Sequence, residues 1–226
     1  MTGSNRTIES AIEVFVHGHS TGKSRTFPYE TSRVGSLWLM RDAEHARGRF
    51  HVCVMVATAE PDEPTRSAYK ALGYRLLGTE GFFVRRISQI PRPPQAAVSI
   101  ERVQTAELAV QLGKITRTRP IPDTLLGDDA SFRQYVAIDG EDIVGRVRSV
   151  DAVGATWCAD MYVEPSHRRR GIGQALLSRM LWDDQAHGSK SSVLTATHTG
   201  AHLYPRVGYE RIGTLFMFAP KSMAPR

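Results

Sequence analysis

The period of the apolar positions changes several times along this chain, and each change marks an element. From residue 97 onward the order is legible. "AVSIERV" has strand character, and "TAELAVQLGKITRT" carries Leu108, Val110, Leu112 and Ile115 as a helical apolar set behind Thr105, an expected N-cap. "IPDTLLGDD" reads as a short helical or irregular piece. "RQYVAIDGEDIVGRVRSVD" contains two strand-like runs around Asp139-Gly140, a strong hairpin signal. "ATWCADMYV" is the next strand and leads into a glycine-containing loop. Ile172, Ala175, Leu176 and Met180 then recur at three- and four-residue spacing, and Gly188 is placed to end that helix. "SSVLTAT" predicts a strand, and "GAHLYPRV" a short helix or turn that admits Pro205 only in a first turn or an irregular helix. "YERIGTLFMFAP" closes with strand material.

The N-terminal part repeats some of this. "IEVFVH" is strand-like, the polar stretch "GHSTGKS" reads as a loop, and "HVCVMVATA" corresponds roughly to "SSVLTAT". "AYKALGYRLLGTEGFF" echoes "LYPRVGYERIGTLFMF": aligning Tyr69 with Tyr204 pairs Gly73 with Gly208, Tyr74 with Tyr209, Gly78 with Gly213 and Thr79 with Thr214. Such self-similarity suggests duplication of one architectural unit. In "SQIPRPPQAAV", Pro91, Pro93 and Pro94 favour an extended linker. The division expected is therefore a degenerate half-domain over 1–90, a linker over 91–96, and a complete domain over 97–226.

Composition narrows the classes without choosing among them. The chain has 226 residues, 41% hydrophobic and 23% charged, which suits a globular protein with a sizeable core. No apolar run approaches the ~18 residues of a membrane span, and the polar start "MTGSNRTIES" has no signal-peptide core. A cytoplasmic protein without membrane association is expected. Cys53 and Cys158 are too few and too far apart for a disulfide framework or a zinc pattern, and read as small apolar residues. His17 and His19 have no third ligand at readable spacing, so no metal is expected. The net charge of +6 would permit nucleic-acid binding, but the basic residues are scattered apart from Arg168, Arg169 and Arg170. A compact cluster suits a small polyanion better than a long backbone.

Two loops compete for a phosphate. "GHSTGKS" has three residues between Gly18 and Gly22, where a nucleotide-binding loop has four. One residue fewer closes a different ring of N–H groups, and Pro28 opposes the helix that should follow. "HRRRGIGQALL" is better suited. Arg168, Gly171 and Gly173 form Arg-x-x-Gly-x-Gly between a strand and a helix. Glycines let a ligand approach the backbone, the first helical N–H groups have no helical partner, and the arginines add forked donors for phosphate oxygens.

"MYVEPSHRRRGIGQALL" resembles the signature of the GNAT superfamily of N-acetyltransferases, in which Val-x-Pro leads into Arg/Gln-x-x-Gly-x-Gly/Ala. Val163 and Pro165 stand at the matching distance before Arg168, and "LYPRVGYE" resembles the family's closing element through Tyr204, Gly208 and Tyr209. The resemblance covers Ala97 to about Lys221. It implies an α+β fold: a mixed, mostly antiparallel sheet flanked by helices, with a partial second copy at the N-terminus. It implies acetyl-CoA as donor, held by the backbone of Met161, Tyr162 and Val163 along the pantetheine arm. The pyrophosphate would sit on Arg168, Arg169, Arg170, Gly171, Ile172, Gly173 and Gln174. A bulge in "ADMYV" would open the sheet there, as bulges near active sites often do. Thr197 stands where relatives carry an asparagine that contacts the coenzyme, so one contact is weakened.

The chemistry implied is attack of an amine on a thioester carbonyl. Tyr204 occupies the position of the family's proton donor to the leaving thiolate, and a phenol is neutral near pH 7. Asp160 is the candidate base, against a salt-bridging role or a water chain. Glu164, after the end of the strand run, is expected to face away. The acceptor, a small-molecule amine or a peptide, would be selected by Thr105 to Ser131, with Trp157 and Tyr162 as candidate pocket aromatics that pack equally well in a core. A non-catalytic acyl-CoA-binding module is the alternative. Strand edges in this architecture often pair, so a homodimer is compatible with it.

Overall fold

The computed structural model describes residues 3–24, 29–34, 37–42, 52–57, 63–197 and 200–221. These form two compact units. The first comprises Met1–Val84, Val193–Tyr204 and Tyr209–Arg226; the second comprises Arg85–Ser192 and Pro205–Gly208. The fold class is mixed α/β, with mostly antiparallel sheet flanked by helices.

In the second unit, β5 (Ser99–Arg102), β6 (Phe132–Asp139), β7 (Asp142–Ala152) and β8 (Ala155–Val163) form an antiparallel run in that spatial order. The β6–β7 hairpin forms where the Asp-Gly pair predicts one, but its turn residues are Gly140 and Glu141, with Asp139 paired to Asp142 at the end of the ladder. The helix α3 (Ala106–Thr116) is capped by Thr105, whose Oγ1 accepts from the Leu108 N–H at 3.3 Å. Its buried face is Ala109, Leu112 and Gly113, while Val110 and Ile115 are exposed, contrary to the apolar set expected from sequence. The 109/112/113 spacing is the true helical stripe; Val110 and Ile115 lie off it. The "IPDTLLGDD" piece is a short 3₁₀ turn at Asp123–Leu125.

The core of this unit lies between the sheet and α4 (Ile172–Ala186). Leu176, Leu177, Met180 and Leu181 of α4 are buried, together with Tyr135, Val147 and Trp157 of the strands. Trp157 is thus core. Gly145 lies so close to the Leu176 side chain that a Cβ there would approach it to 3.1 Å. A charged network sits inside the apolar layer. Asp184, fully buried on α4, accepts from Arg133 Nη2 at 3.0 Å, Ser149 Oγ at 2.7 Å and Thr156 Oγ1 at 3.0 Å. Arg133 also pairs with Asp151. The network fastens α4 to three strands, as a buried carboxylate requires if it is not to be left unpaired.

In the first unit, α1 (Gly3–Ser24) is a helix throughout. This corrects two expectations: "IEVFVH" is not a strand, and "GHSTGKS" is not a loop. Ala11, Ile12, Phe15 and Val16 are buried at helical spacing, and that stripe overrides the local alternation of Ile12, Val14 and Val16. His17 and His19, two positions apart on a helix, do not share a face. The strands β1 (Tyr29–Val34), β2 (Leu37–Asp42) and β3 (Val52–Ala57) follow. The helix α2 (Glu63–Ala71) and the strand β4 (Tyr74–Arg86) come next. The ends of β9 (Ser191–Ala196) and β10 (Glu210–Pro220) complete the order β1-β2-β3-β10-β4-β9. The Cys53 backbone lies in β3, and its side chain falls outside the described residues; Cys158 is a buried free thiol.

The two echo segments become neighbours. β4 and β10 pair antiparallel, with Tyr74 opposite Pro220 and Glu210 opposite Val84. Gly73 and Gly208, matched in sequence, both have φ of +81°, a conformation L side chains rarely adopt. Phe218 stacks on Tyr69 at 3.9 Å, and Leu39 and Phe216 complete that small core.

Candidate functional site

β8 delivers the site. Its first half is buried and its second half, from Ala159 to Val163, is half-exposed. The change coincides with a bulge: Arg148 faces Ala159 and Arg146 faces Tyr162, so Asp160 and Met161 oppose Val147 alone. Asp160 takes a left-handed φ of +55°, which aspartate tolerates better than most residues. The bulge lies where the sequence reading expects one.

The bulge aims Asp160 at two arginines. Its carboxylate accepts from Arg146 Nε at 3.0 Å and from Arg148 Nη2 at 3.4 Å, while Arg148 Nε donates to Gln134 Oε1 at 3.0 Å. The Arg146 guanidinium stacks over the Tyr162 ring at 4.7 Å, and Tyr162 donates to Glu164 Oε2 at 3.2 Å. Arg146, Arg148 and Gln134 were missed at the sequence level. The signal was available: Arg146 and Arg148 alternate in "GRVRS" and so share one face of β7.

After Val163 a 3₁₀ turn, Pro165–His167, swings the chain into the arginine run. Arg168 Nε donates to the Val163 carbonyl at 2.9 Å, and its guanidinium lies 5.9 Å from the Tyr162 ring. Arg168 therefore clasps the end of β8. Arg169 has φ of +64°, and Arg170, half-exposed, lies 3.9 Å from Asp139. His167 Nε2 is 3.3 Å from the same carboxylate.

Gly171, φ +79°, is the N-cap of α4 and offers no side-chain oxygen to the helix. Among the described residues, the backbone N–H groups of 169–174 donate to no acceptor; the first bonded one is Ala175, to the Gly171 carbonyl at 3.0 Å. No acidic residue occupies the first turn of α4. A row of unsatisfied donors at the positive end of a helix dipole is an anion site. An added Cβ at Gly171 would meet nothing within 4 Å, so the space above the loop is open to a ligand. Ile172 is buried and anchors the helix, while Gln174 is exposed.

Tyr204 and Thr197 belong to the first unit. Tyr204 is 6% exposed and opens the 3₁₀ turn Tyr204–Val207, with its ring 5.9 Å from Phe83 and 5.9 Å from Tyr209. Pro205 sits second in that turn, where its missing N–H costs nothing. Thr197 Oγ1 accepts from the Gly200 N–H at 3.4 Å, capping the turn Gly200–His202. Among the described residues no group of three or more His, Cys, Asp or Glu could hold a metal, and no helix is long and apolar enough to cross a membrane.

Comparison with known proteins agrees with this geometry. Residues 130–211 match the family model of the acetyltransferase (GNAT) domain. A GCN5-related N-acetyltransferase from Kribbella flavida superposes with a TM-score of 0.67 at 16% identity, over 92% of this chain and 95% of its own. One from Sphaerobacter thermophilus gives 0.51 at 14% identity, over 96% and 93%. No curated protein matches in sequence. At such identities the structural likeness establishes the fold, and the family match covers the strand, bulge, loop and helix described above. Residues 130–211 are thus similar to the acetyltransferase (GNAT) domain, and the chain has a GNAT-like mixed α/β fold.

Proposed function

We propose that the protein is an N-acetyltransferase that uses acetyl-CoA as donor and a primary amine, on a small molecule or a peptide, as acceptor. The observation that carries this is the row of unpartnered N–H groups over 169–174 at the start of α4. It fits a pyrophosphate, with Arg168, Arg169 and Arg170 supplying positive charge around it. The backbone of Met161, in the bulge, and of Tyr162 and Val163, just past it, would pair with the pantetheine amides. Thr197 would contribute little, since its hydroxyl already caps a turn.

In the reaction the deprotonated amine attacks the thioester carbonyl, the C–N bond forms, and the C–S bond breaks. The carbonyl oxygen gains negative charge and calls for an N–H donor from the β8 backbone near Tyr162. Tyr204 passes its phenolic proton to the departing thiolate. Both oxygens of Asp160 accept from arginines, which favours a role in holding the bulge and argues for water as the route of the amine proton. A module that binds acyl-CoA without turnover is separated from this reading by thiol release with a panel of amines.

The same proposal takes the chain as a degenerate N-terminal copy over 1–90, a linker over 91–96 and a donor-binding domain over 97–226, working in the cytoplasm, with a homodimer through strand edges compatible. The matched φ of Gly73 and Gly208 supports the duplication. The test is calorimetric titration with acetyl-CoA together with CoA release in the presence of amines. Binding and turnover support the enzyme; binding without turnover across a broad amine panel supports the module.

A further inference from the structure

A cavity of about 750 Å³ lies within the second unit, between the proline segment and one flank of α4. Its lining shares no residue with the 169–174 loop or with Asp160 and Met161 of the bulge, and its size falls in the range of ligand pockets, roughly 300–1,000 Å³. Its origin is legible. Ala175, Arg179, Trp182 and Asp183 recur on one flank of α4, while Leu176, Met180 and Asp184 are buried against the sheet. The crossing segment is pinned before the prolines, where the Ile90 N–H donates to Gln185 Oε1 at 2.5 Å. After them, Val98 is buried. Between those points Pro91, Pro93 and Pro94 have no N–H with which to bond the helix.

The lining is asymmetric in its chemistry. Arg92 is exposed and makes no hydrogen bond or ion pair among the described residues. Arg179 uses its Nε on both oxygens of Asp183, at 3.1 Å each, which occupies the one carboxylate and leaves the terminal amino groups as donors. Trp182 is 39% exposed, and its indole N–H has no partner among the described residues. Arg92, Arg179 and Asp183 together carry one net positive charge. The remaining walls are apolar at Pro93, Pro94, Val98 and Ile100, with one neutral amide, Gln95. Surplus donors, one uncompensated charge and flat apolar surfaces define a complement. Indole, proline rings and guanidinium planes all stack on aromatic faces.

We propose that this cavity is a second ligand site, for a small aromatic monoanion: the ring lies against Trp182 and the prolines, and the acid group meets Arg92 and Arg179. The site is independent of the acetyl-transfer reading, and its test requires no turnover. The probes are 2-naphthoate and its uncharged counterpart 2-naphthol, titrated by calorimetry into the wild type, Arg92→Ser, Trp182→Ala and Gly171→Asp. Naphthoate should bind saturably, with naphthol about tenfold weaker. Arg92→Ser should weaken naphthoate about tenfold and naphthol less than about twofold. Trp182→Ala should weaken both, and Gly171→Asp should change neither. Four results would overturn the site: no saturable heat with naphthoate up to about 5 mM, equal affinity for the two probes, full binding retained in both cavity variants, or loss of binding in Gly171→Asp, which would assign the probe to the phosphate loop.

Discussion

Arg146 Nε donates to Asp160 Oδ1 at 3.0 Å across the bulge in β8, and so holds a left-handed aspartate at the centre of the candidate site. The proposed reaction gives a carboxylate in that setting a positioning role. Asp160→Asn keeps the backbone preference, since asparagine also tolerates positive φ. It should lower kcat/KM by less than about tenfold and leave the shape of the pH–rate profile unchanged. A general base would instead cost about 10²–10⁴-fold, and its acid limb would disappear.

In the proposed reaction Tyr204 serves the leaving group and not coenzyme binding. Tyr204→Phe keeps the ring that packs between Phe83 and Tyr209. Its kcat should fall about 10²-fold or more. Its affinity for acetyl-CoA should stay within about twofold of wild type. Equal loss of binding and turnover would make the phenol a binding group.

The buried network around Asp184 predicts a pattern in stability. Asp184→Ala leaves Arg133 buried beside only Asp151 and should cost about 3–5 kcal/mol in urea unfolding. Replacing both partners, Arg133→Met with Asp184→Leu, should recover most of that loss, because packed apolar groups substitute well for a buried ion pair.

The same carboxyl gives a pH dependence of definite sign. Burial pushes the Asp184 carboxyl above its ordinary value of 3.8, against the opposing pull of Arg133, Ser149 and Thr156. Between that value and the raised one the folded chain holds more protons than the unfolded chain, so this group's contribution falls as pH rises. The stability of the wild type relative to Asp184→Asn should therefore grow as pH is lowered toward the ordinary carboxyl range. A difference that shrinks over that window would show the carboxyl depressed instead.

Tyr135 is fully buried, and its hydroxyl has no partner among the described residues. Burial first, and then the nearby Asp184 and Asp183 charges, push its phenol above the ordinary range. Tyr135→Phe removes an unsatisfied group without leaving another, so it should change stability by less than about 0.5 kcal/mol or raise it. A loss above that would reveal a partner for the hydroxyl.

Much of the second unit could be read in advance because its signals are local. The hairpin beside Gly140, the Thr105 cap and the Arg-x-x-Gly-x-Gly loop each depend on a few adjacent residues, and the structure has all three. The N-terminal helix could not be read that way. Ile12, Val14 and Val16 alternate over a short window like a strand, and only the longer stripe through Ala11, Phe15 and Val16 decides for helix. The partners of Asp160 and Asp184 come from other strands, so their chemistry depended on register. Sequence could name Asp160 as a candidate, but the bulge that turns it toward Arg146 and Arg148 exists only in the paired sheet.

The central claim is that the unpartnered N–H groups of 169–174 hold the pyrophosphate of acetyl-CoA. Gly171→Asp tests it most directly. Aspartate is a favoured N-cap and accepts φ > 0 more readily than most residues, so α4 should remain folded by circular dichroism while a carboxylate occupies the anion's place. Calorimetry should show acetyl-CoA binding to the wild type with a dissociation constant of about 1–100 μM, weakened about a hundredfold or more in the variant. No binding to the wild type, or equal binding to both proteins, would contradict the account.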